Sequence, residues 1–127
     1  MKGSKILSWV LRIVAAVILL QTLYFKFSGA EESVYIFSQL GIEPWGRIAT
    51  GIIELLAATL ILLPKTKMQG ALLTAAIMTG AVLAHFLKLG IEVQNDNGLL
   101  FVLAITVLLC SLGIIILHKK NQKKLNS

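Results

Sequence analysis

Charge is scarce in this sequence, acid scarcer still, and cysteine almost absent. Charged residues make up 14% of the chain, against about 25% in soluble domains. Only 6 acids stand against 12 lysines and arginines. A chain so poor in charge cannot cover a water-facing fold with polar surface, which argues against a soluble domain. The one cysteine, Cys110, lies inside an apolar run. It allows no intramolecular disulfide and no Cys-x-x-Cys redox pair, and reads as a small apolar side chain. A phosphate-binding loop, a hydrolase triad, a haem-attachment motif and an internal repeat are also missing.

What is abundant is apolar. Hydrophobic residues reach 57% of the 127 positions, with a mean hydropathy of +0.84, whereas soluble domains hold roughly 45–50%. The bilayer is the natural solvent for such a chain. The net charge of +6 would suit a nucleic-acid binder only if the cations formed a stripe on a folded soluble face. Here they flank apolar runs, so no nucleic-acid partner is expected.

Four apolar runs occupy residues 6–25, 47–63, 70–89 and 98–117. Each is close to the ~20 residues needed to cross a ~30 Å hydrocarbon core. In lipid such a run must be helical, because an isolated strand leaves its backbone groups unsatisfied. Pro64 with Lys65 and Lys67, then Asn95-Asp96-Asn97-Gly98, then the lysine-rich tail break the runs. The sequence therefore predicts an all-α fold: one domain over residues 1–127, an integral membrane four-helix bundle. Lys2, Lys5, Arg12, Lys65, Lys67, Lys119, Lys120, Lys123 and Lys124 fall on one side, and only Lys26, Arg47 and Lys88 on the other. The positive-inside rule then places both termini in the cytoplasm. Lys2, Lys5, the first run and Ser28-Gly29-Ala30 loosely imitate a secretory signal. The run is longer than a signal's ~7–15 apolar residues and Arg12 interrupts it, so it is expected to stay as the first helix. Arg12 is expected to snorkel to the headgroups.

The longest connection, residues 26–46, contains the amphipathic stretch SVYIFSQL at residues 33–40. Val34, Phe37 and Leu40 share one helical face, Glu31 and Glu32 suit its start, and Gly41 suits its end. A short interfacial helix in the first outer loop is predicted, with Trp45 anchoring the entry to the second run.

Ionisable side chains inside the hydrocarbon are functional suspects. Glu54 lies about 10 Å below the outer boundary, at ~1.5 Å per residue from Arg47. Arg47, Thr50, Gly51 and Glu54 follow the i, i+3, i+4, i+7 pattern of one face, which Ala57 and Ala58 extend with small residues. Glu54 should therefore point into the bundle. His85 lies about 6 Å deep near the end of the third run. Gln21, Lys26, Arg47, Glu54, His85 and Lys88 are expected to converge on the outer half, while the fourth run offers little beyond Thr106, Cys110 and Ser111. The plainer alternative is that Glu54 pairs with His85, Arg47 or Lys26 only to neutralise itself. One Glu and one His are too few for a closed zinc site, and His118 lies at the opposite face. Ala76-x-x-x-Gly80-x-x-x-Ala84 suggests close helix packing in the third run.

These residues resemble the DoxX-like family of compact four-helix membrane proteins, widespread in bacteria. The resemblance rests on Tyr24-Phe25-Lys26-Phe27-Ser28-Gly29, Gly41-Ile42-Glu43-Pro44, Arg47-Ile48-Ala49-Thr50-Gly51-Ile52-Ile53-Glu54-Leu55 and Leu62-Leu63-Pro64. Met78-Thr79-Gly80-Ala81 with His85, and Asn97-Gly98-Leu99-Leu100-Phe101, complete it. It covers nearly the whole chain with short, mostly apolar motifs. The family is tied to membrane redox chemistry: some members resemble a subunit of thiosulfate:quinone oxidoreductase, and others associate with oxidative-stress enzymes. The resemblance implies a bacterial cytoplasmic (inner) membrane protein, and Lys26, Arg47, Glu54 and His85 as its site. The first expectation is an oxidoreductase subunit whose outer site takes a small anion or a quinone headgroup. Lys26 and Arg47 would hold negative charge, and Glu54 and His85 would exchange protons. A small proton-coupled transporter with Glu54 as carrier is a second reading, although small multidrug transporters place their acid in helix 1, where this chain has none. A structural partner tethering another membrane or periplasmic enzyme is a third.

Overall fold

Long apolar stretches with no water to satisfy their backbone become helices, and a computed structural model shows this for residues 2–93 and 96–125. Helix α1 is Lys2–Phe27, α2 Glu31–Gln39, α3 Trp45–Leu62, α4 Lys67–Ala84 and α5 Leu99–Leu125. Helix α4 runs on through a π-helical turn, His85–Leu89. Four segments are long and apolar enough to cross a membrane: Lys5–Phe27, Trp45–Leu62, Lys67–Leu89 and Leu99–Lys123. The protein is a four-helix membrane bundle. Helix α5 carries on beyond the expected stop at residue 117, taking the basic residues from His118 to Lys123 into the helix.

The spanning helices pack in the cyclic order α1, α3, α4, α5, each against two neighbours. Their inner faces are built largely from small or compact residues: Ala15, Ala16 and Leu19; Ala57, Ala58 and Ile61; Ala71 and Met78; Ala104, Val107, Cys110 and Ile114. Large apolar side chains such as Val17, Ile52, Leu72, Leu87 and Ile116 are exposed, as lipid-facing positions should be. The tightest approach is at Gly70, where a Cβ would stand 2.5 Å from the backbone nitrogen of Ile61. That contact also corrects the expected packing stripe. Ala76 and Gly80 are exposed, and nothing lies within 4 Å of a Cβ at Gly80. Gly70, Ala71, Thr74 and Met78 form the buried face of α4 instead. Ala76 stands two residues from both Thr74 and Met78, about 200° round a helix of 3.6 residues per turn.

Helix α2 forms one turn-rich cap, packing on α1, α3 and the π-helical turn. Ser33 and Phe37 are its buried residues. Its end is fixed by Gly41 at φ +76, whose N–H donates to Ser38 O at 3.0 Å while Ile42 N–H donates to Phe37 O at 3.0 Å. This is the cap end of the bundle, and the opposite end, where α1 begins and α5 finishes, is the termini end.

Arg12 departs from its expected place. It is 2% exposed and does not snorkel. Its Nε donates to Ile61 O at 2.7 Å and its Nη2 to Leu62 O at 2.8 Å. The last carbonyls of a helix have no intrahelical donor, and Pro64 prevents the chain from continuing as helix to supply one. The guanidinium fills that need, stacked 3.7 Å from the ring centre of Trp9.

Candidate functional site

The last two turns of α1 place Thr22 and Lys26 on one face, four residues apart, towards α3. There they meet Glu54, which is 3% exposed. Lys26 Nζ stands 3.1 Å from Oε1 and 3.2 Å from Oε2 of Glu54, and the one hydroxyl hydrogen of Thr22 is shared between Leu19 O at 3.0 Å and Oε2 at 3.2 Å. The acid thus holds a bifurcated ion pair and a hydroxyl donor at the α1–α3 seam. Gly51, one turn before Glu54, lets the ring of Phe27 lie over α3; a Cβ there would stand 2.7 Å from that ring.

Arg47 joins this cluster through the backbone. Its Nη1 donates to Lys26 O, tying the end of α1 to the start of α3. Its Nε donates to both carboxylate oxygens of Glu43, at 2.9 and 3.1 Å. Lys26 and Arg47 are therefore each matched by a carboxylate, and the group of four side chains is neutral as a whole.

His85 belongs to a second cluster, at the cap ends of α4 and α5. Its Nδ1 lies 2.8 Å from Gly90 O. A carbonyl only accepts, so Nδ1 carries a proton, and in the neutral ring Nε2 is left as the acceptor. The ring meets Phe101 edge to face at 5.5 Å. The π-helical turn that His85 opens is a rare local geometry, common at functional sites.

Asp96 governs this corner. Its Oδ1 accepts from Val93 N at 3.0 Å and Gly98 N at 2.8 Å, and its Oδ2 from Leu100 N at 3.1 Å. Burial alone would raise its carboxyl, but those three N–H donors and nearby His85 outweigh it and hold it below the ordinary range. Glu32 on α2 lies within Coulombic reach of Asp96. Burial first, and Asp96 second, push Glu32 above its ordinary range.

Of the six residues expected to converge, Lys26, Arg47 and Glu54 are joined by direct bonds, whereas His85 bonds within its own corner. Gln21 and Lys88 do not join either cluster: both are exposed. Gln21 is one residue from Thr22, about 100° round the helix from the face that meets Glu54, and Lys88 lies on the exposed side of the π-helical turn with Phe86 and Leu87. Thr22, Glu43 and Asp96 carry contacts that sequence reasoning did not assign. The spacing of Thr22 and Lys26 was the available signal for the first. Among the described residues, no three His, Cys, Asp or Glu side chains are grouped to hold a metal ion.

The model of the DoxX-like family matches residues 10–111, a span that contains both clusters, Arg12 and all of α2, α3 and α4. No curated protein and no solved structure gives a significant match to the chain. Four apolar spanning helices, a capping helix and a family match across most of the length lead to one conclusion: the chain belongs to the DoxX-like family of membrane proteins.

Proposed function

We propose that this protein is a membrane subunit serving an oxidoreductase, and that the neutral headgroup of a quinone docks at the Lys26–Glu54 pair from the bilayer. The observation that carries the reading is a charge-neutral acid–base pair between two spanning segments, with Glu54 buried and Lys26 half-buried. Intramembrane ionisable groups are functional suspects by default, and a clamp with no other duty is built at less cost from apolar residues. Neutrality also favours one of the two ligands expected from the sequence. Lys26 and Arg47 already face Glu54 and Glu43, so the cluster has no net attraction for a free anion. A quinone headgroup needs hydrogen-bond donors for its carbonyl oxygens, not charge.

The residues suit that need. A lysine ammonium has three donors, and Lys26 spends its contacts on the two oxygens of Glu54. Lys26 is 16% exposed and would donate to the headgroup, while Thr22 holds Glu54 in place. Glu54 would take up and release a proton beside the headgroup, and His85, buried with Nδ1 on Gly90 O, would exchange protons through Nε2. A bound quinone would supply the acceptor for two electrons and two protons, the electrons coming from a partner enzyme.

A structural reading is favoured by one specific observation. Among the described residues, no buried side-chain nitrogen or oxygen lacks a hydrogen-bond partner, so the cluster is complete without a ligand. Native mass spectrometry of gently solubilised protein separates the two. Quinone retained by the wild type and lost in Glu54→Gln supports the docking site. Equal retention by both removes it, and a bare chain carrying one stoichiometric partner protein favours the structural reading.

A further inference from the structure

The termini end carries cations with no acid to answer them. All 6 acids of the chain, Glu31, Glu32, Glu43, Glu54, Glu92 and Asp96, belong to the cap end or to the middle of α3. Lys67, at the start of α4, stands within Coulombic reach of both Arg12 and Lys5 on α1. Arg12 is itself buried and spends Nε and Nη2 on carbonyls, so its positive charge acts on this boundary from within the bundle. Three cations gathered at a membrane boundary repel one another unless an anion sits among them.

An open groove of about 350 Å³ runs beside this cluster, lined by Lys5, Ile6, Trp9, Val10 and Ile13. Lys5 is exposed at its mouth. Ile6, Val10 and Ile13 follow at i, i+4 and i+7 along the lipid-facing side of α1, where they are 64%, 49% and 50% exposed. Trp9 forms its wall, held from behind by the Arg12 guanidinium. Positive charge at the mouth and an apolar trough running into the membrane match one molecule with an anionic head and a hydrocarbon chain.

We propose that this groove binds a phospholipid of net negative charge. Its phosphate lies at the groove mouth between Lys5 and Lys67, and one acyl chain lies along Ile6, Val10 and Ile13 beside Trp9. A zwitterionic lipid brings its own ammonium into the field of three cations and is disfavoured. Free phosphate has the charge but nothing to fill the trough.

The test uses the fluorescence of Trp9 in full-length protein carrying Trp45→Phe, since the chain has only 2 tryptophans and Trp45 stands exposed at the other end of the bundle. The protein is titrated in mixed micelles with brominated-chain phosphatidylglycerol and, separately, with brominated-chain phosphatidylcholine. Phosphatidylglycerol should reach half-quenching at roughly tenfold lower mole fraction, and Lys5→Gln and Lys67→Gln should each cut that preference roughly fivefold. Lys67→Arg should keep it, which separates loss of charge from damage to the helix end. Inorganic phosphate, at ionic strength matched with chloride, should leave the quenching unchanged. Equal half-quenching by the two lipids, or a preference that survives both glutamine substitutions, overturns the proposal. Displacement of the lipid by inorganic phosphate would make the cluster a free-anion site and overturn it equally.

Discussion

Among the described residues two charged side chains, one basic and one acidic, are buried in this bundle, and they are stabilised in different ways. Arg12 and Glu54 are 2% and 3% exposed, and both face α3 or lie on it. Among the described residues Arg12 has no carboxylate partner; it packs against the end of α3 and is answered by the Ile61 and Leu62 carbonyls. Those groups carry the negative end of the helix dipole, so backbone alone suits a cation there. Glu54 lies inside α3, where every backbone N–H is already committed to the helix ladder. Only side chains remain, and Lys26 and Thr22 supply them. A charge held by backbone is fixed as long as the fold lasts. A charge held by side chains can be shared with a ligand or a proton, which is why the proposed function is assigned to Glu54 and not to Arg12.

This contrast breaks most sharply at Lys26→Met, which leaves Glu54 buried without its cation. Removing one partner of a buried pair costs about 3–5 kcal/mol, so the thermal midpoint in detergent should fall steeply. Adding Glu54→Leu should restore much of the loss. Arg12→Leu comes next: it strands two carbonyls, at about 1–3 kcal/mol for each buried group left unsatisfied. Arg12→Lys should recover part of this, because an ammonium still donates, though without the planar fork. Gly70→Ala tests the same end by packing alone. Its methyl would collide with the backbone of Ile61, the residue that accepts from Arg12, and should cost about 1–3 kcal/mol with the α1–α3 seam at the cap end undisturbed.

The smallest effect is a pH dependence confined to the cap end. Asp96 is held below its ordinary range. Its contribution is present above the unfolded value of ~3.9 and is lost as pH falls through the lowered folded value. Glu32 is raised, so its contribution is full below ~4.3 and is lost as pH rises through the raised folded value. Stability of this end should peak near about pH 4. Midpoints measured across pH should lose the acidic limb in Asp96→Asn, which also weakens the start of α5 by about 1 kcal/mol, and the upper limb in Glu32→Gln.

The four spans could be read from the sequence because hydropathy and the stops at Pro64 and Asn95-Asp96-Asn97-Gly98 act locally along the chain. The face carrying Gly51, Glu54, Ala57 and Ala58 was legible for the same reason: it is a property of one helix, and those four residues are buried. What escaped depends on which helix stands opposite. Nothing in the first run says that Arg12 faces the carboxyl end of α3, since carbonyls leave no mark in a sequence. The Ala76, Gly80 and Ala84 stripe looked like a packing face, but small residues serve lipid-facing positions as well. Glu43 stands four residues before Arg47, a spacing open to view in the sequence, but it precedes α3 and the pairing depends on the turn that Gly46 N–H makes onto Ile42 O.

The most direct test of the account is infrared difference spectroscopy of the protein in lipid, wild type against Glu54→Gln, before and after addition of a short-chain quinone. The account predicts a Glu54 carboxylate band in the resting protein that shifts when quinone is added and is missing from the variant. A protonated-acid band in the resting protein, or a carboxylate band indifferent to quinone, would contradict it and leave Lys26 and Glu54 as a structural clamp between α1 and α3.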